Sequence, residues 1–325
     1  MSTATVKPSK WRDSISQHSV LERMDAHSEV MLHLHPFRIL VLAVLAGSFI
    51  TFGALLSVVL SIGVESDGPA RLLQSLGFTA GFSMVIISEA ALFTEVNVSF
   101  AVYALYRSSK ERIPAVRLGA LWFLVWAGNA IGAMFASTLL VHGNHFDNET
   151  SALLNEITEK KLKEFHYNET AGAWFRVVLS AMLGNWMVGL AAFNAAKQSD
   201  IVGQIFGIFF PILTFVSTGL QHAPANMGYL HLANIAELPS VSWSSAWAWN
   251  IIPASIGNFL GAVLFVALPM FYTRVVTLFP TNSEAVKRSK PHSNSSISIP
   301  KHQSLTSPLT KPVSRRTSVV DMALV

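Results

Sequence analysis

Six stretches of this chain, at roughly 39–63, 72–94, 115–141, 173–196, 201–218 and 247–273, are apolar over lengths that match a ~30 Å hydrocarbon core, which takes about 20 helical residues to cross. In that medium an unpaired backbone amide has no water to bond, so each stretch is expected to be a helix. Hydrophobic residues make up 51% of the chain and charged residues 13%, well below the charged share of a soluble domain, as six membrane spans require. The formal net charge of +4 sits mostly in the tails and gives no reason to expect nucleic acid. Without cysteine, disulfides, thiolate metal sites and thiol nucleophiles are excluded.

Residues 1–35 are mixed in charge, carry His27, His33 and His35, and contain no apolar run of the kind found in a cleavable signal. They read as a cytoplasmic N-terminal segment, with the first span serving as its own signal. Arg107, Lys110, Arg112 and Arg117 flank the connection between spans two and three, Lys197 lies between four and five, and Arg274, Lys287, Arg288 and Lys290 follow span six. Basic loops face the cytoplasm, so these connections and both termini are placed inside. The opposite side carries the long 142–172 loop, with six acidic residues against Lys160, Lys161 and Lys163 and two glycosylation sequons, at Asn148 and Asn168. A third sequon, at Asn294, falls in the predicted cytoplasmic tail and is read as a chance match. The six-span domain is taken as 36–275 and the remainder, 276–325, as a cytoplasmic tail; from 282 onward it is rich in Ser, Thr, Pro and Lys, too poor in apolar surface to repay ordering. Arg315-Arg316-Thr317-Ser318 in that tail suits a basophilic kinase. A plasma membrane is expected in preference to an organelle membrane.

Span three contains Gly128-Asn129-Ala130-Ile131-Gly132-Ala133, and span six contains Gly257-Asn258-Phe259-Leu260-Gly261-Ala262. The pattern recurs after 129 residues, and the same offset pairs Ser88 with Ser217 and Asn97 with Asn226, one register without an insertion. Two consecutive halves of three spans each must be oppositely oriented, which is an inverted repeat with its site expected at the midplane between the halves. The glycines fit close helix packing. An amide in hydrocarbon needs partners, and one at the same place in each half argues for a paired role.

Spans two and five are each interrupted. The run Ser88 to Asn97 turns polar and contains Glu89 and Glu95 before apolar sequence resumes; span five passes through GLQHAPANM, Gly219 to Met227. Pro224 removes a backbone donor and Gly219 tolerates unusual dihedrals, so both segments read as helix, break and half-helix. Open backbone at membrane depth survives only when buried in protein or lining a watery cavity. His222 is the only histidine predicted near the midplane, and an imidazole there suits proton exchange or hydrogen bonding to an anion.

At these residues the chain resembles the formate/nitrite transporter family, over roughly residues 36–275. Leu92-Phe93-Thr94 looks like the family's first broken-helix motif, Gly219 to Met227 like the second with its central histidine, and Gly184-Asn185-Trp186-Met187-Val188 like its span-four signature. Ala46 to Ala54 is similar to its first span. The resemblance implies an all-α, aquaporin-like protomer with six transmembrane helices as a 3+3 inverted repeat, spans two and five broken, assembled as a homopentamer in the lipid bilayer, without cofactor or metal. It implies a channel or transporter for a small monovalent anion (formate, nitrite, lactate or acetate) that moves with a proton. A true aquaporin would carry two Asn-Pro-Ala motifs; Ala223-Pro224-Ala225-Asn226 is not one.

On this reading the substrate pathway runs past His222, Thr94, Asn185, Asn129, Asn258 and Asn226, with Leu92, Phe93, Phe206 and Phe209 as apolar constrictions. Departures from the family pattern modulate the pore: Glu89 and Glu95 stand where the family has other residues, Gln221 replaces a glutamate before the central histidine, and the expected vestibule lysine falls on Glu169. Lys163 and Arg176 are candidates to replace that charge. The added carboxylates keep a second reading open, a channel of the same fold for neutral solutes or weak bases. A third is a transport-inactive scaffold or sensor working through the tail. An enzyme is not expected, since His222 has no nucleophile pair or metal-ligand set at recognisable spacing.

Overall fold

The computed structural model describes residues 17–107, 113–143, 146–166 and 170–275, and among them every regular element is helical. In chain order these are α1 (Gln17–His33), α2 (Pro36–Ser61), α3 (Asp67–Ile87), α4 (Phe93–Tyr106), α5 (Ala115–Gly143), α6 (Asn148–His166), α7 (Ala171–Lys197), α8 (Ile201–Ser217), α9 (Ala223–Ile235) and α10 (Trp243–Thr273). Five of them, α2, α3, α5, α7 and α10, are long and apolar enough to cross a membrane, and α8 is a shorter apolar helix of 17 residues. The predicted tail, including the candidate kinase motif, lies outside the described residues.

Local chemistry sets the helix starts. His35 caps α2, its Nδ1 accepting from the Phe37 amide, with Pro36 at the first helical position, where its missing donor costs nothing. Asp200 caps α8 through the Gly203 amide at 2.8 Å, and Ser242 and Ser245 form a reciprocal box at the start of α10. α10 is one run with two wide turns, at Trp247–Ile251 and Ala262–Ala267.

α2 packs on α3 and α5, and α7 packs on α8 and α10. The small residues of the repeated Gly-Asn motif make the contacts. A Cβ on Gly132 would lie 2.0 Å from the Val44 carbonyl oxygen, and one on Gly261 would lie 2.1 Å from that of Met182. Both helix pairs therefore approach backbone to backbone, the close packing that small residues permit where lipid supplies no hydrophobic drive.

Two helices were not anticipated. α1 lies within the segment read only as an N-terminal arm, and buries Val20, Leu21 and Met24 against Val98, Val102 and Phe193. At the end of α4, Arg107 clamps it: Nε and Nη2 donate to Asp25 at 2.9 and 2.8 Å, and the same guanidinium bonds Glu29. α6 occupies the long loop, burying Leu154 and Leu162, with Asn155 and Thr158 hydrogen-bonded to Ser240.

Replacing Gly132 or Gly261 by Val is expected to cost at least about 1–3 kcal/mol by overpacking, read as a lower thermal unfolding midpoint in detergent, whereas Gly119→Ala should not lower it. Nothing lies within 4 Å of a Cβ on Gly119. The α1 clamp carries a pH prediction. The Arg107 hydrogen bond holds the Glu29 carboxyl below its ordinary value of 4.5. A lowered carboxyl stabilises above its ordinary value and loses that contribution as pH falls through the lowered one. Hydrogen exchange in α1 should therefore be unchanged between neutral and mildly acidic pH and rise only below the ordinary carboxylate range.

Candidate functional site

Both interruptions are built alike. α3 ends at Ile87 and α8 at Ser217, and each closes with a residue at positive φ, Glu89 at 52° and Gly219 at 71°. The Ala90 amide then returns to the Val85 carbonyl at 3.1 Å and the Leu220 amide to that of Phe215 at 3.3 Å, the Schellman closure of a helix end. Leu92 caps α4 and His222 caps α9, so the two half-helices begin at Phe93 and Ala223.

Asn129 and Asn258 hold these starts in the same way. Asn129 Oδ1 accepts from the Phe93 amide at 2.7 Å while Nδ2 donates to the carbonyls of Ala43 and Ala91 at 2.8 and 2.9 Å. Asn258 Oδ1 accepts from the Ala223 amide at 2.8 Å while Nδ2 donates to the carbonyls of Ala181 and Gln221 at 2.8 and 3.2 Å. Each asparagine satisfies an amide and a carbonyl of one break and bonds a carbonyl of the adjoining continuous helix, α2 or α7.

The register needs one correction. Ser88 matches Thr218 as a helix end and Leu92 matches His222 as a helix start, both 130 residues apart, against 129 between the asparagines. One residue is gained between break and motif. Asn97 therefore corresponds to Met227 rather than Asn226; it accepts from Trp122 Nε1, whereas Asn226 sits among other polar groups.

Between the two starts, Thr94 Oγ1 lies 2.8 Å from His222 Nε2. His222 Nδ1 accepts from the Ala225 amide at 3.2 Å, so in the neutral ring the proton is on Nε2, which donates to Thr94. A second ring proton would displace that cap and put a cation at a helix N-terminus, which the helix dipole opposes. Asn185 donates to the carbonyls of Thr94, at 3.3 Å, and Asn258, at 2.8 Å, tying both halves together. Thr94, Asn185 and His222 are all buried.

A cavity opens on each side of this pair. The larger, about 490 Å³, lies towards α6 and is lined by Phe78, Lys161, Phe215, Leu220, Gln221 and Tyr229. The smaller, about 280 Å³, lies towards α1 and includes Arg23, His27, Glu89, Glu95, Ser99 and Gln204. At the α6 side Lys161 Nζ donates to Asn226 Oδ1 at 2.9 Å and lies 5.3 Å from the centre of the Tyr229 ring. Asn226 donates to Gln221 Oε1 at 2.7 Å and Asn250 Oδ1 at 2.6 Å.

The rings beside His222 are not those expected to form constrictions. Phe206 is 67% exposed and Phe209 packs on Phe210, so neither meets His222. Phe93 stacks on Trp122 at 5.5 Å. The rings beside His222 are Phe215 and Phe78, with centroids 5.2 and 6.4 Å away, and Leu92 is fully buried in the core cluster that contains both. No periodicity separates these phenylalanines from the others of the apolar runs.

Nor is the vestibule charge on a residue singled out in advance. Glu169, Asn168 and the Lys163 side chain lie outside the described residues, and Arg176 is exposed on α7. Lys161 lines the α6-side cavity, together with Arg71 and Lys160, and the signal was available: Leu154, Ile157 and Lys161 fall on one face of an amphipathic helix. Asn148 is exposed at the first position of α6. A second buried histidine, His231 of α9, was also missed; its ring lies 5.4 Å from Trp243 and 5.6 Å from Trp247.

The profile described as Formate/nitrite transporter matches residues 18–272. The chain belongs to the formate/nitrite transporter family. It is 31% identical over 248 residues to a probable formate transporter of Methanothermobacter thermautotrophicus, covering 73% of this chain and 88% of that one. Among solved structures it resembles an FNT family ion channel, with a TM-score of 0.69 at 20% identity over 79% of this chain and 99% of the other. A pentameric formate channel with formate bound gives a TM-score of 0.63 at 21% identity over 75% and 98%. Family membership also accounts for the all-helical, multi-pass fold.

Asn129→Leu and Asn258→Leu are each expected to strand buried backbone groups at about 1–3 kcal/mol apiece. Thermal unfolding should show a larger loss for either than for Asn97→Leu.

Proposed function

We propose that this protein conducts small monovalent anions of weak acids, such as formate, nitrite, lactate or acetate, together with a proton. The observation that carries this reading is the Thr94–His222 pair, held between two half-helix starts and flanked by a cavity on either side. Helix N-termini carry partial positive charge and favour anions, so α4 and α9 both present that charge to the same buried point. Lys161 attracts the anion into the α6-side cavity, and Gln221 and Asn226 offer neutral contacts below it.

Crossing the pair as a bare anion is the costly step. Protonating an acid of pKa ~4 at neutral pH costs about 4 kcal/mol, less than uncompensated burial of the ion, so the acid crosses neutral. His222 bonds the passing group through Nε2–H and Thr94 offers a hydroxyl able to donate or accept. Phe78, Phe215 and Leu92 exclude water and hydrated ions.

The architecture proposed around this path has six spans in two inverted halves of three, residues 36–275, with α1 on the cytoplasmic side, α6 outside and five copies assembled in a plasma membrane. Asn148 and Asn168 then face a compartment where glycosylation occurs, and the tail from 276 lies inside. The carboxylates Glu89 and Glu95 in the α1-side cavity favour one competing reading, passage of neutral solutes or weak bases.

Purified protein in proteoliposomes is expected to take up formate, nitrite or lactate, with the rate rising up to about tenfold per unit fall in external pH near neutrality. A hydrogen bond between neutral groups is worth about 0.5–1.5 kcal/mol, so His222→Ala should slow uptake roughly 2- to 13-fold and Thr94→Val less. Ammonium or glycerol flux without any anion flux would establish the competing reading instead.

A further inference from the structure

Glu95 has no part in the mechanism so far, yet it adjoins the central pair. It is the third residue of α4, directly after Thr94, and its half-buried side chain lines the α1-side cavity. Successive helical residues differ by about 100° in direction, so Thr94 can face His222 while Glu95 faces the cavity. Among the described residues the Glu95 carboxylate makes no hydrogen bond or ion pair.

Its surroundings hold three other ionisable side chains. α1 contributes His27 and Arg23, whose guanidinium donates to the Ala196 and Lys197 carbonyls at 3.4 and 3.5 Å. The first break contributes Glu89, α4 itself Ser99, and the α7–α8 junction and α8 the amides of Gln198 and Gln204. From α3 come only Val85 and Ile86. A neutral acid leaving the pair in this direction therefore meets the Glu95 carboxyl group at the cavity, one residue from Thr94.

We propose that Glu95 accepts the proton of the transported acid as the acid leaves the constriction on the α1 side. This rests on the transport reading above. The acid O–H bond breaks as an O–H bond forms on the Glu95 carboxylate; the substrate leaves as the anion beside a neutral carboxyl group, and the carboxyl returns its proton to cavity water. The anion escapes beside a neutral Glu95 carboxyl group. Glu95 thus serves as the base for exit on the α1 side and, the step being reversible, as the proton donor for passage the other way.

The test uses the full chain in proteoliposomes of one sorted orientation, α6 side outward, with formate as the probe. Outer pH is held near 6 while inner pH is stepped from about 5.5 to about 8, and the outer pH is then varied at fixed inner pH. Wild-type entry is expected to rise about tenfold across the inner range, and Glu95→Gln to flatten this to within about twofold while keeping its dependence on outer pH. Retained outer-pH dependence shows that the variant is folded, and Glu95→Asp should restore most of the inner-pH response. An unchanged inner-pH response in Glu95→Gln overturns the proposal. So does faster entry at every inner pH, which would mark Glu95 as a repelling charge only. If wild type carries no formate, nitrite or lactate at any pH, the transport reading fails first and this proposal with it.

Discussion

Everything at the centre depends on one requirement: two helices stop inside an apolar protein, and the backbone groups they expose have no water to turn to. Asn129 and Asn258 meet it, each taking one amide and giving to one carbonyl of a break, with a further bond to a carbonyl of α2 or α7. An unsatisfied group there costs about 1–3 kcal/mol, so each asparagine offsets several such penalties. Because both reach across from neighbouring helices, α5 and α10 must lie close to α2 and α7, which is what Gly132 and Gly261 permit.

That arrangement also creates the polarity of the site. Helices that ran through would bury their dipoles along the span; broken ones deliver two N-termini to one point. His222 serves there as a helix cap as well as a partner of Thr94, which fixes its tautomer and opposes a second ring proton. Its place in the fold thus makes it a neutral donor more readily than a reservoir of charge. The ionisable side chains sit around the cavities instead: Lys161 with Arg71, Lys160, Glu65, Asp67 and Glu156 on one side, and Arg23, His27, Glu89 and Glu95 on the other.

The elements absent from the sequence reading are those that join the core from outside it. α1 and α6 lie in segments whose mean hydropathy gives no span, and their value comes from what they touch: α1 brings His27 and Arg23 to one cavity, α6 brings Lys161 to the other. Lys163 and Arg176 were equally plausible as charges along the chain. Which lysine of α6 dips inward depends on how the helix rolls against α9 and α10, and Leu154 and Leu162 decide that roll by being buried.

By itself the sequence determined the membrane class, the apolar stretches, the two breaks and the doubled Gly-Asn motif, because hydrocarbon thickness and backbone satisfaction act on local composition; the contact of Thr94 with His222 came from the fold. It did not determine the register of the two halves to the residue, since a single inserted position leaves hydropathy unchanged while moving Asn97 away from the counterpart of Asn226. Nor did it choose Phe78 and Phe215 over Phe206 and Phe209. Phenylalanine is equally at home on an exposed helix face or in a buried cluster, and only the packing of α3, α8 and the second break around His222 decided which rings lie beside it.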